Sequence, residues 1–173
     1  MSENHNQTPP SEKKIYSIGL HRIRPMQNHP FSVRDDEEMT ALMESIRQYG
    51  VLTPITVRAI RKENSSETDY FEIISGHRRY HACKRLNLDR IPANIVNLDR
   101  NQAVIAMVDS NLHREHLLPS EKAFAYKMKL EAMDRQGKKT TLCPLDTKPV
   151  DSATEIAESA EESRRQIFRY IRL

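Results

Sequence analysis

The sequence of 173 residues predicts an α+β domain followed by an all-helical segment. Up to about residue 96, short apolar runs typical of strands alternate with stretches of helical periodicity. Beyond that point only helical periodicity remains, and no segment is repeated. Strands and helices in mixed order, followed by helices alone, favour one α+β unit with helices added after it.

The first half of the chain contains the predicted strands. Residues 1–14 are polar and aperiodic, and we expect a disordered tail there. Loose apolar alternation predicts a strand over 15–23, with Pro25 and Pro30 interrupting the pattern. Acidic residues from Asp35 to Glu38 begin a helix, because negative charge favours the first turn, and Gly50 ends it. Further strands are predicted over 54–60, 70–75 and 91–96.

The second half is helical. Asp99 is expected to cap one helix, and Pro119 suits the first position of the next. Their predicted apolar faces comprise Ile105, Val108 and Leu112, then Ala123, Tyr126, Leu130 and Met133. Two capping boxes, one from Ser152 to Glu155 and one from Ser163 to Gln166, open two short helices. The predicted organisation is thus an α+β domain over 15–98, helices over 99–136, a linker over 137–150 and a partial helix-turn-helix over 151–173.

Composition excludes several classes of protein. The net charge is +3 and the pI is about 8.9, so nucleic acid is permitted as a partner but not required. Two cysteines, Cys83 and Cys143, make neither a disulfide framework nor a zinc site. No apolar run approaches the ~20 residues that cross a membrane. We therefore expect a cytoplasmic protein without a membrane partner.

The segment from Tyr70 to Leu86 carries the strongest local signal. It reads as an apolar strand, a turn at Gly76 and a helix whose first turn contains Arg78 and Arg79. The first N–H groups of a helix lack internal partners and carry partial positive charge, so they suit an anion. Two arginines would add charged, forked donors. The alternative is an ordinary strand–helix connection with basic residues in solvent.

Two more segments contain polar groups suited to a nucleotide. One runs from Gly50 through Thr53 to Ile55, and the other from Ser110 to Arg114. Asn111 and Arg114 are three residues apart on a helix and so share a face. A nucleotide site needs backbone amides and arginines to bind phosphates. It also needs a few polar groups to hold a base or a metal.

The order and spacing of these segments resemble the N-terminal domain of the ParB/RepB family of partition proteins. That pattern has a serine–isoleucine helix ending in Gly-x-x-x-Pro-Ile, a Gly-Glu-Arg-Arg turn followed by alanine, an Ile-Pro pair, a Glu-Asn-x-x-Arg segment and a Pro-x-Glu-x-Ala-x-Ala-Tyr helix. The matching residues are Ser45, Ile46, Gly50, Pro54, Ile55, Gly76, Arg78, Arg79, Ala82, Ile91, Pro92, Asn111, Arg114, Pro119, Glu121, Ala123, Ala125 and Tyr126. The resemblance implies a ParB/sulfiredoxin-like fold with a small mixed sheet.

The resemblance also implies a function. Members bind CTP with Mg²⁺, many hydrolyse it slowly, and binding closes two protomers as a clamp on DNA during plasmid or chromosome segregation. It further implies self-association through this domain, a ParA-type ATPase as partner, and association with nucleoid or plasmid. Carried over by position, the nucleotide-binding residues are Thr53, Gly76, His77, Arg78, Arg79, Asn111 and Arg114, with Asn111 indirectly at the metal.

Two positions depart from the family pattern. His77 replaces the glutamate of the turn, and Ser110 replaces the glutamate before Asn111. A serine hydroxyl organises metal and water poorly, and Asp109 points about 100° away around the helix. These departures predict nucleotide binding with weak or absent hydrolysis. His77 is interpreted as a surface residue, or else as a phosphate donor when protonated.

The last residues resemble a helix-turn-helix, whose second helix enters the major groove by its N-terminal residues. The DNA-binding residues expected from that resemblance are Arg164, Arg165, Gln166, Arg169 and Arg172. Glu161 replaces the usual turn glycine, and the chain stops at Leu173, so we expect a truncated protein lacking the family's dimerisation region. A charged amphipathic helix is the alternative.

Two other functional classes stay open. One is an enzyme on the same fold, either a nucleotide hydrolase or nuclease, or a relative of the ATP-dependent enzyme sulfiredoxin. The cysteine of sulfiredoxin's Gly-Cys-His-Arg turn is missing here, and no acidic cluster near the three segments suggests a nuclease metal. The other class is an interaction or transcription-regulatory module that has lost nucleotide binding.

Overall fold

The computed structural model describes residues 14–61, 67–112 and 117–137, together with Arg169, which is helical and exposed. The strands are β1 (Ile15–Gly19), β2 (Ile23–Pro25), β3 (Ile55–Arg61), β4 (Thr68–Ser75) and β5 (Arg90–Val96). The α-helices are α1 (Glu37–Tyr49), α2 (His77–Arg85), α3 (Arg100–Leu112) and α4 (Pro119–Gly137), and a 3₁₀ turn spans Leu20–Arg22. The predicted α+β class is confirmed. The domain boundaries stay predictions, and the expected tail, linker and helix-turn-helix lie almost wholly outside the described residues.

The five strands form one mixed sheet in the order β1-β5-β3-β4-β2. The central β3 runs parallel to β5 and antiparallel to β4. The two edge strands differ in how they pair with their neighbours: β1 is antiparallel to β5, and β2 is parallel to β4. This is the small mixed sheet that the resemblance implied.

The single strand predicted over 15–23 is wrong. The segment forms β1 on one edge of the sheet, turns through Leu20–Arg22, and continues as β2 on the opposite edge. Leu20 N–H donates to the carbonyl of Asp89 at 2.9 Å, where the chain leaves the β1 edge. Pro25 ends β2, and its missing N–H is tolerated there because β2 is an edge strand.

Apolar residues pack on both faces of the sheet. On one face Met39 and Ile46 of α1 and Ala82 and Cys83 of α2 pack against the strands. On the other face a second cluster joins α3 and α4 to Ile74 of β4. Neighbouring residues of a strand point to opposite faces, so Ile73 belongs to the first cluster while Ile74 belongs to the second. The turn after β4 therefore lies where both layers of helices can reach it.

The predicted faces of α3 and α4 are only partly correct. In α3 the buried residues are Ala103, Val104, Met107 and Val108, whereas Ile105 and Leu112 are half-buried. In α4 the buried positions are Ala125, Tyr126, Lys129 and Ala132. Lys129 interrupts the apolar pattern of the buried face. The other buried positions include two small residues, Ala125 and Ala132. The predicted helix starts are confirmed, with Asp99 Oδ1 accepting from Gln102 N at 2.9 Å and Pro119 first in α4.

Candidate functional site

A cavity of about 310 Å³ lies beside the turn between β4 and α2. Two of the three predicted segments meet in it, namely the Gly76 turn and the Ser110–Asn111 end of α3. The third segment, with Thr53, does not line the cavity but is bonded to it through Arg79. The complete lining is His29, Val33, Leu42, Ser75, Gly76, His77, Arg78, Arg79, Ser110 and Asn111.

Gly76 shapes the turn at the cavity wall. It is the N-cap of α2 with φ +100° and ψ 26°, a left-handed conformation that glycine adopts without strain. A Cβ at this position would lie 2.6 Å from Cγ2 of Ile55, whose side chain is fully buried. No side chain caps the helix. The first turn of this helix lies at the cavity wall, and the start of a helix is a place that suits an anion.

Arg78 forms a forked ion pair with the N-cap of α1. Its Nη2 and Nη1 atoms donate to Oδ1 and Oδ2 of Asp36 at 2.8 and 3.2 Å. Nη2 also lies 3.3 Å from a carboxylate oxygen of Glu38. The hydrogen bonds from Arg78, followed by that from the Met39 N–H, lower the pKa of the Asp36 carboxyl to about 2. The arginine is therefore placed at the cavity with acidic partners already engaged.

Arg79 connects the turn to the start of β3. Its Nη1 donates to the carbonyls of Thr53 and Pro54 at 2.5 and 2.7 Å. Its Nη2 lies 3.3 Å from the place that a Cβ on Gly76 would take. Burial lowers the pKa of this guanidinium, which stays charged because arginine starts so high. Arg79 thus stabilises the position of the Thr53 segment, while its Nη2 atom lies beside the Gly76 turn.

His77 is half-buried and lines the cavity. Its ring lies against that of His29, with centroids 3.7 Å apart and planes tilted by 42°. His29 Nδ1 donates to the carbonyl of Phe31 at 2.7 Å, which fixes the loop that carries it. The sequence offered no signal for His29, because a lone histidine between two prolines looks like any loop residue.

The loop that carries His29 is tied to α4 by Glu121. Oε1 of Glu121 accepts from the backbone N–H and hydroxyl of Ser32 at 3.0 and 2.8 Å, and Oε2 accepts from Leu118 N at 3.2 Å. Burial opposes ionisation of Glu121, yet these bonds outweigh it, and the net effect lowers its pKa. The sequence indicated Glu121 only through the family resemblance. Its hydrogen bonds to Ser32 and Leu118 give it a structural role.

Ser110 and Asn111 provide neutral polar groups across the cavity from the turn. Ser110 Oγ and Asn111 Nδ2 both donate to the carbonyl of Met107, at 2.9 and 2.8 Å. Asp109 lies outside the cavity lining and accepts from Nζ of Lys129 at 2.7 Å. Asp109 therefore does not contribute to the cavity lining, in agreement with its predicted direction. Arg114 lies outside the described residues, as do Arg164, Arg165, Gln166 and Arg172.

A larger cavity, of about 560 Å³, lies on the α3 and α4 side of the sheet. Arg58 and Glu72 form part of its lining and pair at 2.7 Å, and each side chain is only 11% exposed. We place the site at the smaller cavity, because its wall contains the left-handed Gly76 and the start of α2 with no side-chain cap.

Comparison with known proteins identifies the family. A sequence model described as the ParB N-terminal domain matches residues 4–112. The chain belongs to the ParB family. A nucleoid occlusion protein of Listeria innocua is 40% identical over 123 residues, which are 70% of this chain and 41% of that protein. The chain thus spans about two fifths of the length of this ParB-family relative.

Solved ParB structures share the fold. C-terminally truncated ParB of Caulobacter crescentus bound to the centromeric parS site has a TM-score of 0.57 and 21% identity, covering 91% of this chain and 70% of that one. The same protein with CTP-γ-S has a TM-score of 0.50 and 23% identity, covering 92% and 77%. Within the described part of this ParB-family chain, no helix is long and apolar enough to cross a membrane.

Proposed function

We propose that this ParB-family chain binds CTP with Mg²⁺ in the 310 Å³ cavity, and that it hydrolyses the nucleotide weakly or not at all. The observation that carries the proposal is the meeting of the uncapped α2 N-terminus and its arginines with Ser110 and Asn111 in one cavity. Binding of CTP-γ-S by a ParB of the same fold supports the choice of nucleotide.

Each side chain has a chemical role in this proposal. The N–H groups after Gly76 and the guanidinium of Arg78 bind the triphosphate. Arg79 holds Thr53 near the base and offers its second nitrogen to a phosphate. His77 lines the same wall as a neutral or charged donor. Arg114 completes the phosphate surroundings, as the family pattern implies.

The residues present fit a magnesium ion that arrives with the nucleotide. Mg²⁺ commonly binds through substrate phosphates, water and one or two protein oxygens. Oδ1 of Asn111 is such an oxygen, because Nδ2 is the atom that bonds the backbone. Among the described residues no cluster of three histidine, cysteine or acidic side chains forms a metal cage. The ion would screen phosphate charge, and the protein would supply the N–H and guanidinium donors.

Weak hydrolysis follows from the groups near α3. Ser110 presents a hydroxyl that already donates to Met107, and this is a poor substitute for a carboxylate base. Asp109, the nearest acid on α3, lies outside the cavity lining and is paired with Lys129. A sulfiredoxin-like reaction is disfavoured because Cys83 is fully buried in the core and burial raises the pKa of its thiol.

The wider proposal is a nucleotide-gated clamp on DNA that acts in plasmid or chromosome segregation or in nucleoid occlusion. Arg164, Arg165, Gln166, Arg169 and Arg172 are the proposed DNA contacts. Self-association through this domain and a ParA-type ATPase are the proposed protein partners. Binding of a ParB of this fold to parS supports DNA as the ligand, and the nucleoid occlusion relative supports a nucleoid location.

Calorimetric titration tests the nucleotide assignment. We expect CTP with Mg²⁺ to bind more tightly than ATP, GTP or UTP. Arg78→Ala should weaken CTP binding by about tenfold or more, since hydrogen bonds to charged groups contribute roughly 1.5–3 kcal/mol. Arg47→Ala is the matched control, because Arg47 is an exposed arginine paired only with Glu44 among the contacts described. No heat with any nucleotide, or equal affinities for the two variants, would contradict the assignment.

Two further experiments test the remaining parts. Ser110→Glu should speed CTP hydrolysis and leave affinity nearly unchanged, and a rate equal to that of Ser110→Gln would argue against the role of the carboxylate. For DNA, replacing Arg164 and Arg165 by alanine should reduce the slope of log K against log salt by roughly 2. The control replaces Arg47 and Arg61, which should leave the slope unchanged.

A further inference from the structure

The ion pair between Arg78 and Asp36 occupies the arginine that the proposed site needs. Asp36 takes one donor from each terminal nitrogen, and Glu38 lies 3.3 Å from Nη2. The side chain of Arg78 is 21% exposed and that of Asp36 is 39% exposed, so the pair is partly exposed to solvent. A phosphate that approaches therefore meets a guanidinium whose charge is already balanced by carboxylates.

Asp36 performs a second task at the same time. Its Oδ1 accepts from Met39 N at 2.8 Å and so caps α1. One carboxylate thus links the start of α1 to the first turn of α2. Asp35, the residue before it, makes a parallel link, to His81 at 3.0 Å and Arg85 at 2.8 Å further along α2. The second link would keep the helices together if Arg78 left Asp36.

We propose that Asp36 is an affinity-determining residue of the site, because its carboxylate holds Arg78 and competes with phosphate for the same donors. Binding of a triphosphate transfers the guanidinium from Asp36 to the ligand, while Asp36 keeps its cap on α1. The identity of the ligand as a nucleotide rests on the proposed function. Competition with a phosphate chain rests only on the pair of Arg78 and Asp36. The alternative geometry, in which Asp36 merely orients Arg78 toward phosphate, predicts the opposite change in affinity.

Asp36→Asn is the informative variant. Asparagine caps helices about as well as aspartate, so α1 is preserved while the charged competitor is removed. We expect affinity for CTP with Mg²⁺, and for inorganic tripolyphosphate, to rise by roughly fivefold, the size expected for a partly exposed ion pair. Glu37→Gln is the control, because Glu37 is an exposed neighbour in the same turn that makes no contact with Arg78. It removes the same charge without touching the arginine.

The outcomes separate this inference from the proposed function. If Asp36→Asn binds like Glu37→Gln, or more weakly than the native chain, competition is refuted while nucleotide binding stands. If tripolyphosphate binds more tightly to Asp36→Asn but CTP does not bind, competition stands and the nucleotide assignment fails. If neither CTP nor tripolyphosphate binds to the native chain or to Asp36→Asn, both the inference and the proposed function fail. Thermal unfolding gives a second readout, since the ligand should stabilise Asp36→Asn more than it stabilises Glu37→Gln.

Discussion

Replacing Gly76 by alanine should destabilise the fold through one defined contact. The new Cβ would lie 2.6 Å from Cγ2 and 3.1 Å from Cβ of Ile55. Ile55 is completely buried, so moving it would disturb its packed neighbours. The backbone must also keep φ at +100°, which is unfavourable for any residue with a Cβ. The substitution therefore combines backbone strain with overpacking.

The magnitude follows from these parts. A left-handed conformation costs alanine ~1–2 kcal/mol, and overpacking a core contact costs ~1–3 kcal/mol. The reduced freedom of the unfolded chain offsets about 0.4–1 kcal/mol. We expect the free energy of unfolding to fall by about 1–5 kcal/mol, as measured by urea denaturation followed by circular dichroism.

Gly50→Ala is the control for strain without overpacking. Gly50 has φ +72°, but nothing lies within 4 Å of a Cβ built on it. Its ψ of −172° puts it in a backbone region that only glycine adopts easily, so alanine should cost about 1–3 kcal/mol of backbone strain with no overpacking. An unchanged cost of Gly76→Ala when Ile55 is shortened would refute the contact with Ile55. A double-mutant cycle sharpens the test, because in an Ile55→Ala background the cost of Gly76→Ala should fall by the overpacking share, about 1–3 kcal/mol.

Three other predictions can be tested by substitution. Glu121→Gln should cost about 1–2 kcal/mol of unfolding free energy, because charge-assisted hydrogen bonds to Ser32 weaken; a value near zero would contradict that tether. Asp109→Asn should cost more than Lys129→Met, because it deprives a buried ammonium of this carboxylate whereas methionine fits an apolar setting; the reverse order in urea midpoints would count against it. The folded pKa of Asp36 is about 2, below its ordinary 3.8, so its stabilisation is present above pH 4 and lost as pH falls toward 2. Asp36→Asn should thus be less sensitive to acid than the native chain in that window, as measured by thermal unfolding.

Local signals in the sequence predicted much of the fold and one wall of the site. The acidic start of α1, the glycine turn into α2 and the proline that opens α4 are each specified by neighbouring residues. These signals depend on backbone geometry within one turn, which the sequence displays directly. The convergence of Gly76 with Asn111 came from a resemblance in order and spacing, since nothing in either segment alone predicts the other.

The misses involve contacts between residues far apart in the chain. The stretch over 15–23 alternates like one strand, and only its partners in β5 and β4 divide it. The pair of Arg78 and Asp36 spans 42 positions, and acidic residues before a helix are already explained by capping. Lys129 was overlooked in the buried face of α4, because a lysine is ordinarily exposed.

The division of the first strand has a consequence for how the chain folds. A single stretch, 15–25, covers both outer edges of the β5-β3-β4 core sheet. Its partners lie far along the chain, so closing these contacts carries a large loop-closure cost, and we expect them to form late. Until they form, β4 and β5 each present a row of unpaired backbone groups. Release of this one stretch would uncover the edges of β4 and β5 together. We therefore expect aggregation of the chain to begin with its release.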